Sequence, residues 1–149
     1  MLVGFEPSQR GRAALLHALG VARQAAVPLT VVAVATQERV DVGCVRCRHS
    51  AALWNRELRA LADEELAEAA KLVGPVSWVR YKVTVGRGAR AISEAADSSG
   101  ADVIVLPSER PRRFRRSSYN GVVEELRRAG RWTVIVAPES AAADANSQD

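Results

Sequence analysis

Apolar runs of strand length alternate with segments of helical period along nearly the whole chain, and this alternation limits the possible folds more than any other feature. Leu2 to Phe5, Leu29 to Ala35, Val103 to Leu106 and Thr133 to Val136 are the clearest runs. The second and third are continuous and rich in β-branched residues, which is the pattern of a strand covered on both faces. Strands separated by helices read as βαβ units, and those units build a parallel sheet. The predicted class is α/β, a single five-stranded parallel sheet with helices on both faces, of Rossmann-like type.

Local signals place the helices. Ser8 offers an N-cap oxygen to a helix starting near Gln9, and Leu15, Leu19, Ala22 and Ala26 form its apolar stripe until Pro28 closes it. From Thr36 to His49 the periodicity disappears, so this stretch reads as an irregular excursion. A longer helix is predicted from Ser50, with Trp54, Leu58, Leu61, Leu66 and Ala69 facing the core, and Gly74-Pro75 ends it. Ser77 to Val85 alternates Trp78, Arg80, Lys82 and Thr84 with Val79, Tyr81, Val83 and Val85, which suits an edge strand with one exposed face. Gly86 and Gly88 turn the chain into a helix bearing Ile92, Ala95 and Ala96, and Val122, Leu126 and Ala129 mark the last helix.

Composition narrows the class further. A chain of 149 residues with 48% hydrophobic side chains is one domain's worth and can bury one core. Its net charge of +4 is too small to make the whole surface a polycation, so positive charge matters where it clusters. No apolar stretch approaches the roughly 20 residues that span a bilayer, and Met1 is followed by Leu2-Val3-Gly4-Phe5 without a basic leader, so no membrane contact and a cytoplasmic location are expected. The folded domain is expected over residues 1–137. Residues 138–149 are expected to form a disordered tail, because no large apolar side chain there offsets the entropy of ordering it.

Charge clusters in Arg110-Pro111-Arg112-Arg113-Phe114-Arg115-Arg116, directly after the run Val103 to Leu106. In an alternating α/β chain the loops after central strands hold ligands, so candidate binding residues are sought there and after the first strand. Guanidinium forks match phosphate oxygens; five crowded like charges also suit a solvated, mobile loop. Phe114 alone supplies too little aromatic surface for stacking bases, and nucleic acid is not expected as a partner.

Three parts of the chain resemble the universal stress protein family: the opening Val3-Gly4-Phe5-Glu6-Pro7-Ser8, the stretch from Gly86 through Ala91-Ile92 and Ala95-Ala96 to Gly100-Ala101-Asp102-Val103-Ile104-Val105, and Glu125-Leu126-Arg127-Arg128-Ala129 leading into Val134-Ile135-Val136. The resemblance implies the adenine nucleotide alpha hydrolase-like form of the fold, a stress-response regulatory or binding module that is not an enzyme, and a homodimer paired through the last strand. In one branch of the family it also implies an ATP site, built from Gly-x-x-Gly after a strand and a later Gly-Ser or Gly-Thr.

Glycines suit such a cradle because phosphates lie directly against backbone amides. Here Pro107 and Arg110 stand at the first pair of positions, and the later pair falls at Asn120-Gly121 with Ser117 and Ser118 out of register. Glu6 replaces the family's aspartate, and Pro7 a common glycine. The motif therefore reads as degenerate. A binder of ATP or another phosphorylated small molecule would instead use Arg110, Arg112 and Arg113 for phosphates, Glu6 and Ser8 near base or ribose, the backbone at Ala33-Val34 for adenine, and Ser108 beside Pro107.

Cys44-x-x-Cys47-x-His49 supplies two thiols and an imidazole, three ligands where zinc needs four. The same pair reads equally as a thiol redox switch or as inert. Two cysteines are no disulfide framework of the secreted kind. The paired carboxylates Glu64-Glu65 and Glu124-Glu125 are expected on solvated helix faces. Trp132, at the entrance to the last strand, is the expected dimer contact.

Overall fold

The computed structural model describes residues 1–37, 45–108 and 121–138. Five parallel strands, β1 (Leu2–Gly4), β2 (Leu29–Thr36), β3 (Val79–Gly86), β4 (Val103–Leu106) and β5 (Thr133–Val136), form one sheet in the order β3-β2-β1-β4-β5. The helices are α1 (Gln9–Ala25), α2 (Val45–Val73), α3 (Gly88–Ser99) and α4 (Val122–Ala129). The predicted class is the observed one. The tail beyond residue 138 lies outside the described residues.

Alternation along each strand divides the core into two halves. Val3, Val31, Ala33 and Val105 point to one face and pack with Leu15, Ala18 and Ala22 of α1 and Ala62, Leu66 and Ala69 of α2. Leu2, Val32, Ile104 and Leu106 point to the other and pack with Ile92 and Ala96 of α3 and Leu126 of α4. A parallel sheet covered in this way leaves its ligand-accessible edge at the carboxyl ends of the strands.

Ser8 caps α1 as expected, accepting a hydrogen bond from the Gly11 amide at 3.0 Å. The left-handed turn at Ala26 (φ 53°) ends that helix two residues before Pro28 and leaves Ala26 exposed. β3 is an edge strand, but its exposed face is not the simple one expected. Thr84 is buried, because α3 covers it and its hydroxyl donates to the Ala91 carbonyl at 3.2 Å, while Tyr81 and Val85 are exposed.

α2 departs most from expectation. It begins at Val45, five residues before Ser50, and so takes Cys47 and His49 into its first turns. Its 29 residues span ~43 Å at about 1.5 Å per residue. The eight residues of β2 span only ~27 Å. Its buried residues are Ala62, Leu66 and Ala69, all in the later half. Trp54 and Leu61, expected in the core, are 51% and 53% exposed, and Leu58 is half-buried. The helix outruns the sheet, so its earlier half has no strand to pack on.

This division is measurable by denaturant unfolding of the dilute chain. Ile92→Ala, at a fully buried site, is expected to cost about 2–5 kcal/mol. Trp54→Ala is expected to stay within about 0.5 kcal/mol of the parent, as for a surface site.

Candidate functional site

The strand order reverses between β1 and β4, since β2 and β3 lie to one side of β1 and β4 and β5 to the other. Such a switch point opens a crevice at the carboxyl ends of the two strands, which no crossing connection covers. Leu2 pairs with Ile104 and Val3 with Val105, so Glu6-Pro7-Ser8 and Pro107-Ser108 emerge side by side there. Gly4 pairs with Val32 and the Phe5 amide donates to the Val32 carbonyl, and continuing this register brings Glu6 level with Val34. Glu6, Pro7, Ser8, Val34, Pro107 and Ser108 are thus gathered at one end of the sheet. Gly121, in a left-handed conformation (φ 76°), opens α4. Arg110, Arg112, Arg113, Ser117, Ser118 and Asn120 lie outside the described residues.

The first loop is fixed by its own hydrogen bonds. The Ser8 hydroxyl donates to Glu6 Oε1 at 2.8 Å while accepting from Gly11, and the Ser8 amide donates to the Glu6 carbonyl. Gly11 is required by this closure. A Cβ built there would stand 2.0 Å from the Glu6 carbonyl oxygen, so helix and loop fit together only without a side chain.

Carboxylates crowd beside this loop. Glu65, on α2, is half-buried and its pKa is pushed up from 4.5 to about 7, first by burial and then by the negative charges of Glu6 and Glu68. Glu68 is itself ion-paired to Arg12 of α1. Expecting Glu65 on a solvated helix face overlooked its spacing: it lies three residues after Ala62 and four before Ala69, on the stripe that faces the core. A carboxyl in an apolar stripe was the available signal. Gly11 was equally legible as a glycine inside a first helical turn.

Cys47 is disulfide-bonded. In that state its sulfur offers no thiolate to a metal. His49 sits exposed on α2, two residues on, and Cys44 lies outside the described residues. Among the described residues no group of three His, Cys, Asp or Glu side chains is placed to hold a metal ion, and no helix is long and apolar enough to cross a membrane. At the far edge of the sheet, Trp132 is half-buried under the Arg131 guanidinium, 4.6 Å from the ring centroid, and Arg131 is also paired with Asp97 of α3.

A doubly wound parallel sheet with its crevice between β1 and β4 defines a Rossmann-like α/β fold. The model of the universal stress protein family matches residues 1–138, and the chain belongs to that family. Solved structures agree in fold. The universal stress protein UspA of Lactobacillus plantarum is 18% identical over 92% of this chain and 95% of its own, with a TM-score of 0.74. A universal stress protein in complex with cAMP is 18% identical over 93% and 96%, with a TM-score of 0.53. An Arabidopsis thaliana family member with AMP bound is 13% identical over 100% and 97%, with a TM-score of 0.51. No curated protein matches the chain at a significant level.

Two substitutions test this geometry. Gly11→Ala is expected to lower stability by ~2 kcal/mol in urea unfolding, since about 3 kcal/mol of overpacking exceeds the ~1 kcal/mol that alanine gains in helix propensity. Glu65 holds its proton longer in the folded chain than in the unfolded one, so stability falls as pH rises from 4.5 to about 7. Glu65→Gln is expected to flatten that fall and to be more stable than the parent above neutral pH, as read from unfolding midpoints across pH.

Proposed function

We propose that this chain is a non-catalytic, cytoplasmic regulatory module of the stress response whose crevice has lost the amide cradle for ATP. The observation that carries this reading is the crowding of Glu6, Glu65 and Glu68 beside the loop after β1. A triphosphate brought there meets the negative charge of Glu6, and that of Glu65 above about pH 7, while Arg12 offsets Glu68. Pro107 adds to this, because the first residue after β4 has no amide hydrogen to offer a phosphate. The Ser8 hydroxyl, paired with Glu6 Oε1, is engaged in capping α1 through the Gly11 amide, and an engaged hydroxyl of this kind favours binding over turnover.

A second reading is a binder of adenine nucleotides or another phosphorylated small molecule, favoured by the cAMP and AMP complexes of structural neighbours. It would draw on Arg110, Arg112 and Arg113 for phosphates. A thermal-shift titration with ATP and magnesium separates the two: no rise in Tm at millimolar ligand is expected, and a saturable rise overturns the main reading. The disulfide at Cys47 further favours thiol redox sensitivity over zinc binding. Counts of free thiols with and without reductant, beside elemental analysis for zinc, test that choice.

Homodimer formation through β5 belongs to the same proposal. The strand is a sheet edge whose Val134, Ile135 and Val136 are only half-buried in the single chain, so pairing a second copy's last strand would cover them. Native mass spectrometry is expected to report a dimer. Ile135→Arg is expected to shift it to monomer at micromolar concentration.

A further inference from the structure

Among the described residues, every large apolar side chain left exposed lies on α1, α2 or the edge strand β3, and none on α3 or α4. The densest group is Leu53, Trp54 and Leu61, on and just beyond the overhanging half of α2. Trp54 and Leu61 are seven residues apart and so lie along one line of the helix, two turns from each other.

Charge is segregated along the same helix. Residues 45–56 carry Arg46, Arg48 and Arg56 and no carboxylate, whereas residues 57–68 carry Glu57, Asp63, Glu64, Glu65 and Glu68 with Arg59 as the one cation. The first turn contains no acid. At the amino end this is the reverse of what the helix dipole favours, since the first turn carries Arg46 and no acid, whereas the last turn carries Lys71 in keeping with the dipole. The basic and acidic segments face each other when an identical helix lies against this one head to tail. Only a two-fold, self-complementary contact turns one bipolar helix into two matched halves.

We propose that the exposed apolar stripe of α2 is a self-association surface on which a second copy of this chain docks its own α2 in the antiparallel sense. With the two-fold axis at the level of Glu57, Leu53 and Trp54 lie beside the partner's Leu61, and Arg46 falls opposite the partner's Glu68, joining the Arg12 that already pairs with Glu68 within each chain. Glu57 meets its own copy on the axis, the one like-charged meeting in the pair. The surface is separate from β5, because α2 packs over β2 and β3 at the other side of the sheet. One chain can therefore make both contacts.

The test replaces Trp54 with the photo-crosslinker p-benzoylphenylalanine in an equal mixture of ordinary and 15N-labelled full-length chain, carrying Ile135→Arg to remove contacts through the last strand. Cross-links joining light and heavy chains through α2 peptides are expected. Cross-links confined to one chain, reaching only other elements, or failing to form overturn the proposal.

Sedimentation of the same Ile135→Arg chain, with Trp54 retained, reads the charges. Arg46→Glu is expected to weaken association about tenfold, the effect of ~1.4 kcal/mol at an interface. Combining it with Glu68→Lys is expected to restore most of that loss, and Glu57→Gln to tighten the pair. No change for Arg46→Glu, or no recovery in the double variant, overturns the antiparallel assignment. Because the last strand is disabled throughout, failure here leaves the β5 dimer and the crevice reading standing.

Discussion

β1 has three residues, all buried, and everything else in the structure is arranged around covering them. Val3 needs α1 and α2 on one face, and Leu2 needs α3 and α4 on the other. Flanking strands β2 and β4 satisfy its backbone from both sides, which fixes it at the centre of the sheet. A strand so enclosed delivers the next residues of the chain to one place, the mouth between β1 and β4. Glu6 and Ser8 owe their position to the burial of Leu2 and Val3 rather than to any interaction of their own.

The architecture was legible in the sequence because burial on two faces leaves a strong pattern. Val103 to Leu106 and Leu29 to Ala35 carry apolar side chains at nearly every position, and nothing else in a chain of this size reads that way. α2 was misread for the complementary reason. Trp54 and Leu61 continue the helical spacing of Leu66 and Ala69, and periodicity reports that residues share a helix face without reporting whether anything stands opposite that face. The missing information was the length of β2. A strand of eight residues cannot cover a helix of 29.

The crevice was legible in part. Glu6, Ser8 and Pro107 follow strands directly, so sequence order alone placed them together. Glu65 comes from a different βαβ unit, and its proximity to Glu6 depends on how α2 packs beside α1. Long-range meetings of this kind leave only indirect marks, here a carboxyl on an apolar stripe. Gly11 is required by a contact nearer in sequence: the helix following β1 is drawn so close to the Glu6 carbonyl that a methyl group has no room. Loop closure and crevice chemistry thus share one backbone contact, which couples the shape of the mouth to the stability of the domain.

The uneven seating of α2 divides the molecule into regions with different freedom to change. Around Ala62, Leu66 and Ala69 every substitution is judged by the core, and few side chains satisfy it. In the overhanging turns no such judge is present, so hydrophobicity and charge there can drift at little cost to folding. A chain that is to gain a new association without loss of its fold needs such a region. Here it is the half of a single helix that the sheet is too short to reach.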